Sequence, residues 1–600
     1  MNNVICILVD SVVWDCIGTT RNKCSPTPFI DSLKGESITA ENLYSQGPYT
    51  DAATKSLYTG RNTLDNFGYY FKLNTSPSNH FEVFHNHGYE TIGLYYPYYL
   101  IGKTIKKSID KTYYTSKFLY NSEWGGIFSY YSEALKTREL TDSEYALLRK
   151  RVDLMFECWI DFYQDALNNK SSVSLIEKSC RNFDFQSALK KLYIEKDKFY
   201  NDSKEYIITL LKMGKSHLLA SLDTIDADAY IDRDYMRQEI YSKYKDFFAR
   251  VNRQNINTNI KNNRPGIKRI ACGMLHYLSS RDKDELRFLS NYRYCLRASN
   301  DMIKNSFQSG WQNMPSAGRQ LEFASQLLTQ RNNDKPFYLS MHFLDPHEFI
   351  SYFTYDIQDP DLHSQEFDVL GSFLKKIETN FRGSLPYLLT LRYVDYCIEK
   401  FCKELKLLGI WDNTTLMIVS DHGSSYSYYP LHGIQVNCFD DECYHVPMMI
   451  RVPGFTGKTI SSFHNSMDVF PTLFDTLGFK KPDSFVGYSM IDENAPNKDT
   501  VITEYMGPGC PDLLSRRIWF SARDKKYLVA YKVGLYENFE DGEISKVYDL
   551  TSDPNGYYNI SKKINRKRIA YLLETIEKRY YDIKKETAKN MMEILDEDFE

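Results

Sequence analysis

Six hundred residues exceed one ordinary core, and 42% hydrophobic with 25% charged residues marks a globular chain. The 74 basic and 78 acidic residues leave a net charge of -4, so there is no global electrostatic case for nucleic acid as a partner. No apolar run of about 18 or more uncharged residues occurs, so no membrane span is expected.

Val4 to Val9 is a near-continuous apolar run that suits a buried parallel strand, and it ends at Asp10. A strand at residue 4 leaves no room ahead of it for a targeting leader, which points to a cytoplasmic protein. The 12 cysteines form no Cys-x-x-Cys pair and read as reduced core thiols, in line with that compartment. In the stretch 25 to 33, Thr27 can cap a short helix with Pro28 at its first position. Residues 37 to 45 return as a strand. Thr50 precedes the short helix DAATKSLYTG, closed by Gly60. A helix ends at Gly88 and a further strand follows.

Residues 111 to 330 have a different texture, with sparse glycine, frequent charge and apolar residues at helical spacing, as in 146 to 167 and 234 to 251. This block reads as a helical insertion. Sheet texture resumes at 336. A long helix, a turn at Gly409 and a buried strand from Thr415 to Val419 lead to Asp421 and His422. A strand at 446 to 454, a helix at 467 to 478 and strand-like runs between 500 and 550 precede an amphipathic C-terminal helix. The predicted organisation is an α/β fold with a central, mostly parallel sheet flanked by helices and a small C-terminal α+β part. Its boundaries are 1–110 and 331–480 for the two parts of the α/β domain, 111–330 for the insertion, 481–564 for the α+β part, and 565–600 for the helix and acidic tail.

Asp10 and Asp421–His422 both follow buried strands. Carboxylates and an imidazole converging at strand ends, where open α/β sheets bind ligands, make a divalent-metal site of mixed oxygen and nitrogen donors. Mn²⁺, Zn²⁺, Mg²⁺ and Ca²⁺ all accept such donors, and one ion is expected. Thr50 stands at a helix N-terminus, which favours anions. A phosphate resting there would meet the Thr50 hydroxyl, and metal coordination would make that hydroxyl a better nucleophile.

Nine segments in order then carry a resemblance. They are ILVDS, TPFIDSL, ENLYSQGPYT with SLYTGR, PFYLSMHFLDPHEF, GIWDNTTLMIVSDHG, LHG at 431–433, HVPMMIRVPG, MDVFPTLFDTLG and VYDLTSDPNGYYNIS. Together they resemble the sulfatase branch of the alkaline phosphatase superfamily, with the helical block outside the likeness. The resemblance implies an alkaline phosphatase-like fold, with Asp10, Asp421 and His422 as metal ligands and Thr50 as nucleophile and further ligand. It also places His347 and His432 beside the transferred group or its leaving oxygen.

The chain departs from the sulfatase pattern at the nucleophile. Sulfatases encode Cys or Ser there, later converted to an aldehyde, within a Cys/Ser-x-Pro-x-Arg motif. This chain has Thr50, with Thr54 in place of the Arg and Lys55 beside it. Ser11 stands where a second Asp is usual. A threonine nucleophile resembles those of the phosphoethanolamine and phosphoglycerol transferases and some phosphonate hydrolases. The expected activity is therefore phosphoester hydrolysis or transfer, on a phosphodiester or phosphonate of a small molecule or glycan, through a covalent Thr50 intermediate. A sulfuric ester hydrolase and a non-catalytic scaffold are the rival readings. A second metal would need Asp359 and His363.

Overall fold

The computed structural model describes residues 2–17, 24–95, 103–114, 131–168, 184–213, 246–247, 249–251, 253–255, 257–258, 260–261, 264–281, 286, 289, 316–331, 335–347, 360–377, 384–424, 441–496, 499–507, 517–553, 556 and 558–599. β1 (Asn3–Val9) sets the architecture. Its side chains alternate between two cores: Val4, Cys6 and Leu8 enter one apolar cluster, and Ile5, Ile7 and Val9 enter the other. A strand buried on both faces needs an apolar residue at every position, which is why the run is continuous.

The other strands of this sheet are β2 (Ser37–Tyr44), β3 (Glu90–Tyr95), β4 (Lys111–Tyr114), β5 (Phe337–Phe343), β6 (Thr414–Val419), β7 (Met448–Arg451) and β8 (Lys458–Asn465). They lie in the order β4–β3–β5–β1–β6–β7–β2–β8. β1 pairs in parallel with β5 on one side and β6 on the other. Among the described strands β7 alone runs against its neighbours, so the sheet is mixed but mostly parallel. Helices Ala317–Thr329 and Leu385–Leu407 cover one face, and His80–Asn86, Asp142–Asn168 and Val469–Thr476 contribute to the core on the other. This is the α/β architecture expected from the sequence. Leu8 pairs with Val419, so the chain leaves β1 and β6 side by side at Asp10 and Asp421.

The block 111–330 is less separate than its texture suggested. Lys111–Tyr114 is an edge strand of the main sheet, paired with β3. Ala317–Thr329 packs on Leu385–Leu407 as part of the helical layer. Four residues are too few for strand alternation to show. Between these ends, helices Asp142–Asn168, Phe185–Asn201 and Ser203–Met213 pack on one another. The stretch 234–251 read as amphipathic lies mostly outside the described residues.

β9 (Val501–Tyr505), β10 (Arg517–Arg523), β11 (Tyr527–Gly534) and β12 (Glu543–Asp549) form an antiparallel sheet in the order β12–β11–β10–β9. The helix Ala570–Phe599 presents Leu572, Ile576, Tyr580 and Ile583 to this sheet's core, so the tail helix and the strands share one hydrophobic unit. Buried Arg579 fixes this unit to the rest. Its Nε donates to Glu504 Oε2 at 2.6 Å, and its Nη2 donates to Asp65 Oδ1 at 2.7 Å, just beyond the helix that Thr50 opens.

Candidate active site

Asp10 lies just past β1 and is wholly buried; its backbone N–H still donates to Phe343 O at 2.9 Å. The chain then turns sharply, with Ser11 at φ +62°, a left-handed conformation that side chains other than glycine rarely adopt. Three bonds hold that turn. Ser11 Oγ donates to Asp10 Oδ1 at 2.7 Å, Ser11 N donates to Asp421 Oδ1 at 3.2 Å, and the Tyr387 hydroxyl donates to Ser11 O at 2.8 Å. Ser11 thus braces both carboxylates, at the position where the resemblance expected a second Asp.

Asp421 and His422 leave β6 in the same crevice. His422 N donates to Asp421 Oδ1 at 2.8 Å, and His422 Nδ1 lies 2.6 Å from Gly423 O, which leaves Nε2 free to face the carboxylates. Nε2 stands 3.4 Å from Asp10 Oδ1 and 3.6 Å from Asp421 Oδ2. Gly423 completes the Asp-His-Gly turn because a Cβ there would collide with Glu442 O.

Thr50 is the first residue of the helix Thr50–Thr59, with Tyr49 as its extended N-cap, so Thr50 is not itself the cap. Its side chain is thereby released from capping. Thr50 Oγ1 donates to Asp10 Oδ2 at 3.3 Å and lies 3.2 Å from His422 Nε2. Thr54, standing where the sulfatase motif has Arg, bonds back to Thr50 O at 2.6 Å. Lys55 does not replace that Arg. Its Nζ is buried and donates to Ser76 Oγ at 2.5 Å and Lys72 O at 3.2 Å, and burial depresses its pKa to about 7.

One ligand atom each from Asp10, Asp421 and His422 lies within 4.8 Å of the others. Burial alone would raise the Asp10 pKa, but His347, a hydrogen bond from His342, and His422 together hold it far below the ordinary carboxylate range. Burial and the Asp10 charge raise Asp421 instead. Asp421 Oδ2 is buried and accepts no hydrogen bond. An orphaned carboxylate oxygen beside a second buried carboxylate and an imidazole fits a divalent cation, with donor atoms suited to Mn²⁺, Zn²⁺, Mg²⁺ or Ca²⁺. Among the described residues, this is the one such cluster of metal-binding side chains.

His347 stands at this site, its ring 6.4 Å from that of His422 and nearly perpendicular to it. The Asp of its Asp-Pro-His segment is structural: Asp345 accepts the Ala317 N–H at the start of a helix. His342 escaped the sequence reading. It sits within β5, and its Nε2 lies 3.1 Å from Asp10 Oδ2. Nothing in the sequence marked it, because a lone polar residue inside a strand does not show what the neighbouring strand brings beside it. His432 and Asp359 lie outside the described residues, as does the side chain of His363.

Fold and site together define an α/β protein with a candidate metal centre at the carboxyl ends of parallel strands. The family model described as Sulfatase matches residues 2–145 and 233–479, and the chain belongs to that family. It is 33% identical over 117 residues to lipoteichoic acid synthase 1 of Bacillus subtilis, covering 18% of each chain. It is 25% identical over 278 residues to an arylsulfatase of Clostridium perfringens, covering 42% of this chain and 55% of the relative. The matches thus span from about a fifth to about half the length of these curated relatives. Among solved structures, the phosphonate monoester hydrolase of Agrobacterium radiobacter aligns with 98% of this chain and 96% of its own, at 14% identity and a TM-score of 0.45.

Proposed function

We propose that the chain is a metal-dependent phosphoester hydrolase or transferase that acts on a phosphodiester or phosphonate of a small molecule or glycan through a covalent Thr50 intermediate. The observation that carries this reading is the Thr50 hydroxyl, placed between Asp10 Oδ2 and His422 Nε2. A divalent cation held by Asp10, Asp421 and His422 would acidify that hydroxyl and offset charge on the transferred group. The acidified Thr50 hydroxyl releases its proton to solvent and Oγ1 attacks phosphorus in line; the Oγ1–P bond forms as the bond to the leaving oxygen breaks. His347 delivers a proton to that oxygen, with His432 as the alternative donor. Water or an acceptor hydroxyl then gives its proton to His347 and attacks phosphorus, and the Oγ1–P bond breaks as Thr50 Oγ1 regains a proton from solvent.

The arylsulfatase similarity favours a second reading, sulfuric ester hydrolysis by the same hydroxyl. Threonine argues against it, because a single hydroxyl cannot expel sulfate as an aldehyde hydrate does. The described cysteines are free thiols, which supports a reducing, cytoplasmic compartment. The deciding experiment supplies each of the four metals and measures turnover of an activated phosphodiester, an aryl phosphonate monoester and an aryl sulfate, with the intact mass of quenched enzyme. A phosphoryl adduct on Thr50 supports the proposal. Turnover of the sulfate alone overturns it.

A further inference from the structure

We infer that the helix Ile267–Ser280, with the basic segment leading into it, seats this protein on an anionic membrane surface. Residues 247 to 281 contain no Asp or Glu, although the whole chain has a net charge of -4. The same stretch exposes six cations: Arg250, Arg253, Lys261, Arg264, Lys268 and Arg281. Charge in this chain is balanced as a whole and sharply unbalanced here.

The helix itself is turned the wrong way for a core element. Ile267 is 88% exposed, Ile270 38%, Met274 42%, Leu275 67% and Leu278 55%. Their spacing puts all five on one side of the helix. Arg269, Cys272, Gly273 and Tyr277 occupy the other side and are partly or fully buried. A globular protein normally presents such an apolar stripe to its interior, and a contiguous exposed one marks a docking surface. The helix is closed locally by Arg281 N, which donates to Tyr277 O at 2.7 Å.

Charge decides the occupant. Arg264 and Lys268 flank the start of the stripe, whereas Arg281 at its end is followed by Asp282, Asp284 and Glu285, so the cationic side is the N-terminal one. A helix lying in a bilayer interface has this pattern, with the apolar face at the acyl boundary and cations against anionic headgroups. Nucleic acid would use the cations and leave the stripe uncovered. The platform is also tied to the catalytic end of the sheet. Val251 is fully buried, the Phe247 ring meets Phe367 edge-on at 5.2 Å, and Asn255 Oδ1 accepts Leu385 N at 2.9 Å. Two residues further along, Tyr387 holds Ser11 beside Asp10. Membrane seating is independent of the reaction assigned to Thr50.

The test is flotation of the full chain with phosphatidylcholine vesicles, with and without a third of phosphatidylglycerol. The parent is expected to float with the anionic vesicles and to be released by high salt. Leu275→Glu combined with Leu278→Glu should abolish flotation. Arg264→Gln and Lys268→Gln should each lower the partition coefficient roughly fivefold. Leu407→Glu, at a residue 88% exposed on another helix, should float as the parent does. Melting temperature confirms that each variant is folded. A parent that stays behind, or a double variant that floats like the parent, overturns the inference. So does a lipid-free dimer broken by Leu275→Glu, which would make a second copy the occupant. A melting temperature sharply lowered by that variant would show the face covered by the chain itself, and retention on duplex DNA without vesicle binding would point to nucleic acid; either result also overturns it.

Discussion

His342 Nε2 lies 3.1 Å from Asp10 Oδ2, the same oxygen that accepts the Thr50 hydroxyl at 3.3 Å. One carboxylate oxygen therefore joins the interior of β5 to the candidate nucleophile. Groups that orient a metal ligand typically change affinity by about 10- to 100-fold when removed. His342→Asn should weaken divalent-ion binding within that range, read by calorimetric titration, with little change in fold. Unaltered affinity would mean that Asp10 is held well enough by Ser11 alone.

Asp421 gives a prediction with two signs. Without a cation its carboxylate is buried beside Asp10 with one oxygen unbonded, which costs stability. Chelator-treated Asp421→Asn should therefore melt above chelator-treated parent. Added Mn²⁺ should raise the parent, by about 2.7 kcal/mol at a hundredfold excess over Kd, and leave the variant unchanged. Equal metal content in both proteins by elemental analysis would remove Asp421 from the ligand set.

Thr50 opens its helix without capping it. Thr50→Ala should consequently cost less than the about 1 kcal/mol of a lost N-cap, while removing most turnover. Thr50→Ser should retain activity because the hydroxyl survives. Thr50→Cys should be poor, since a hard cation and phosphorus both favour oxygen. Parental rates from Thr50→Ala on both phosphodiester and sulfate would leave Thr50 a structural residue.

Lys55 predicts a pH dependence. Burial lowers its folded pKa to about 7 from an ordinary 10.5. Between those values the unfolded chain binds the extra proton, so stability rises with pH, by at most about 1.4 kcal/mol per unit. Lys55→Met should lack this contribution. Urea unfolding of parent and variant from neutral to mildly alkaline pH measures the difference. Parallel curves would show that Lys55 keeps its proton in the folded state.

The site residues that were legible share one property: each interrupts a pattern. Asp10 and Asp421 end apolar runs, His422 follows directly, and Thr50 opens a helix. His342 interrupts nothing that a lone sequence can weigh, because a polar residue within a strand acquires meaning only from what the adjacent strand brings beside it. Strand direction was equally hidden. The run around Met448–Arg451 reads as a buried strand, yet no residue type states that β7 is antiparallel to β6. Lys55 was read as a neighbour of the missing Arg, but helical geometry turns it into the protein and away from Thr50. The helix Ile267–Ser280 has an ordinary amphipathic pattern, and only the fold reveals that its apolar face is outward.

The separation of the site's parts along the chain has a consequence for synthesis. His422 follows Thr50 by 372 positions, and Asp421 follows Ser11 by 410. At roughly 5–20 residues per second, a nascent chain carries Thr50 for roughly 20–70 s before His422, a partner of that hydroxyl, exists. For most of that interval β1 has neither β5 nor β6 to pair with, and its apolar run is an open edge of the kind chaperones shield. The Arg579 contact to Asp65 spans 514 positions and closes last. A chain stopped before β6 lacks Asp421 and His422 and cannot assemble the centre.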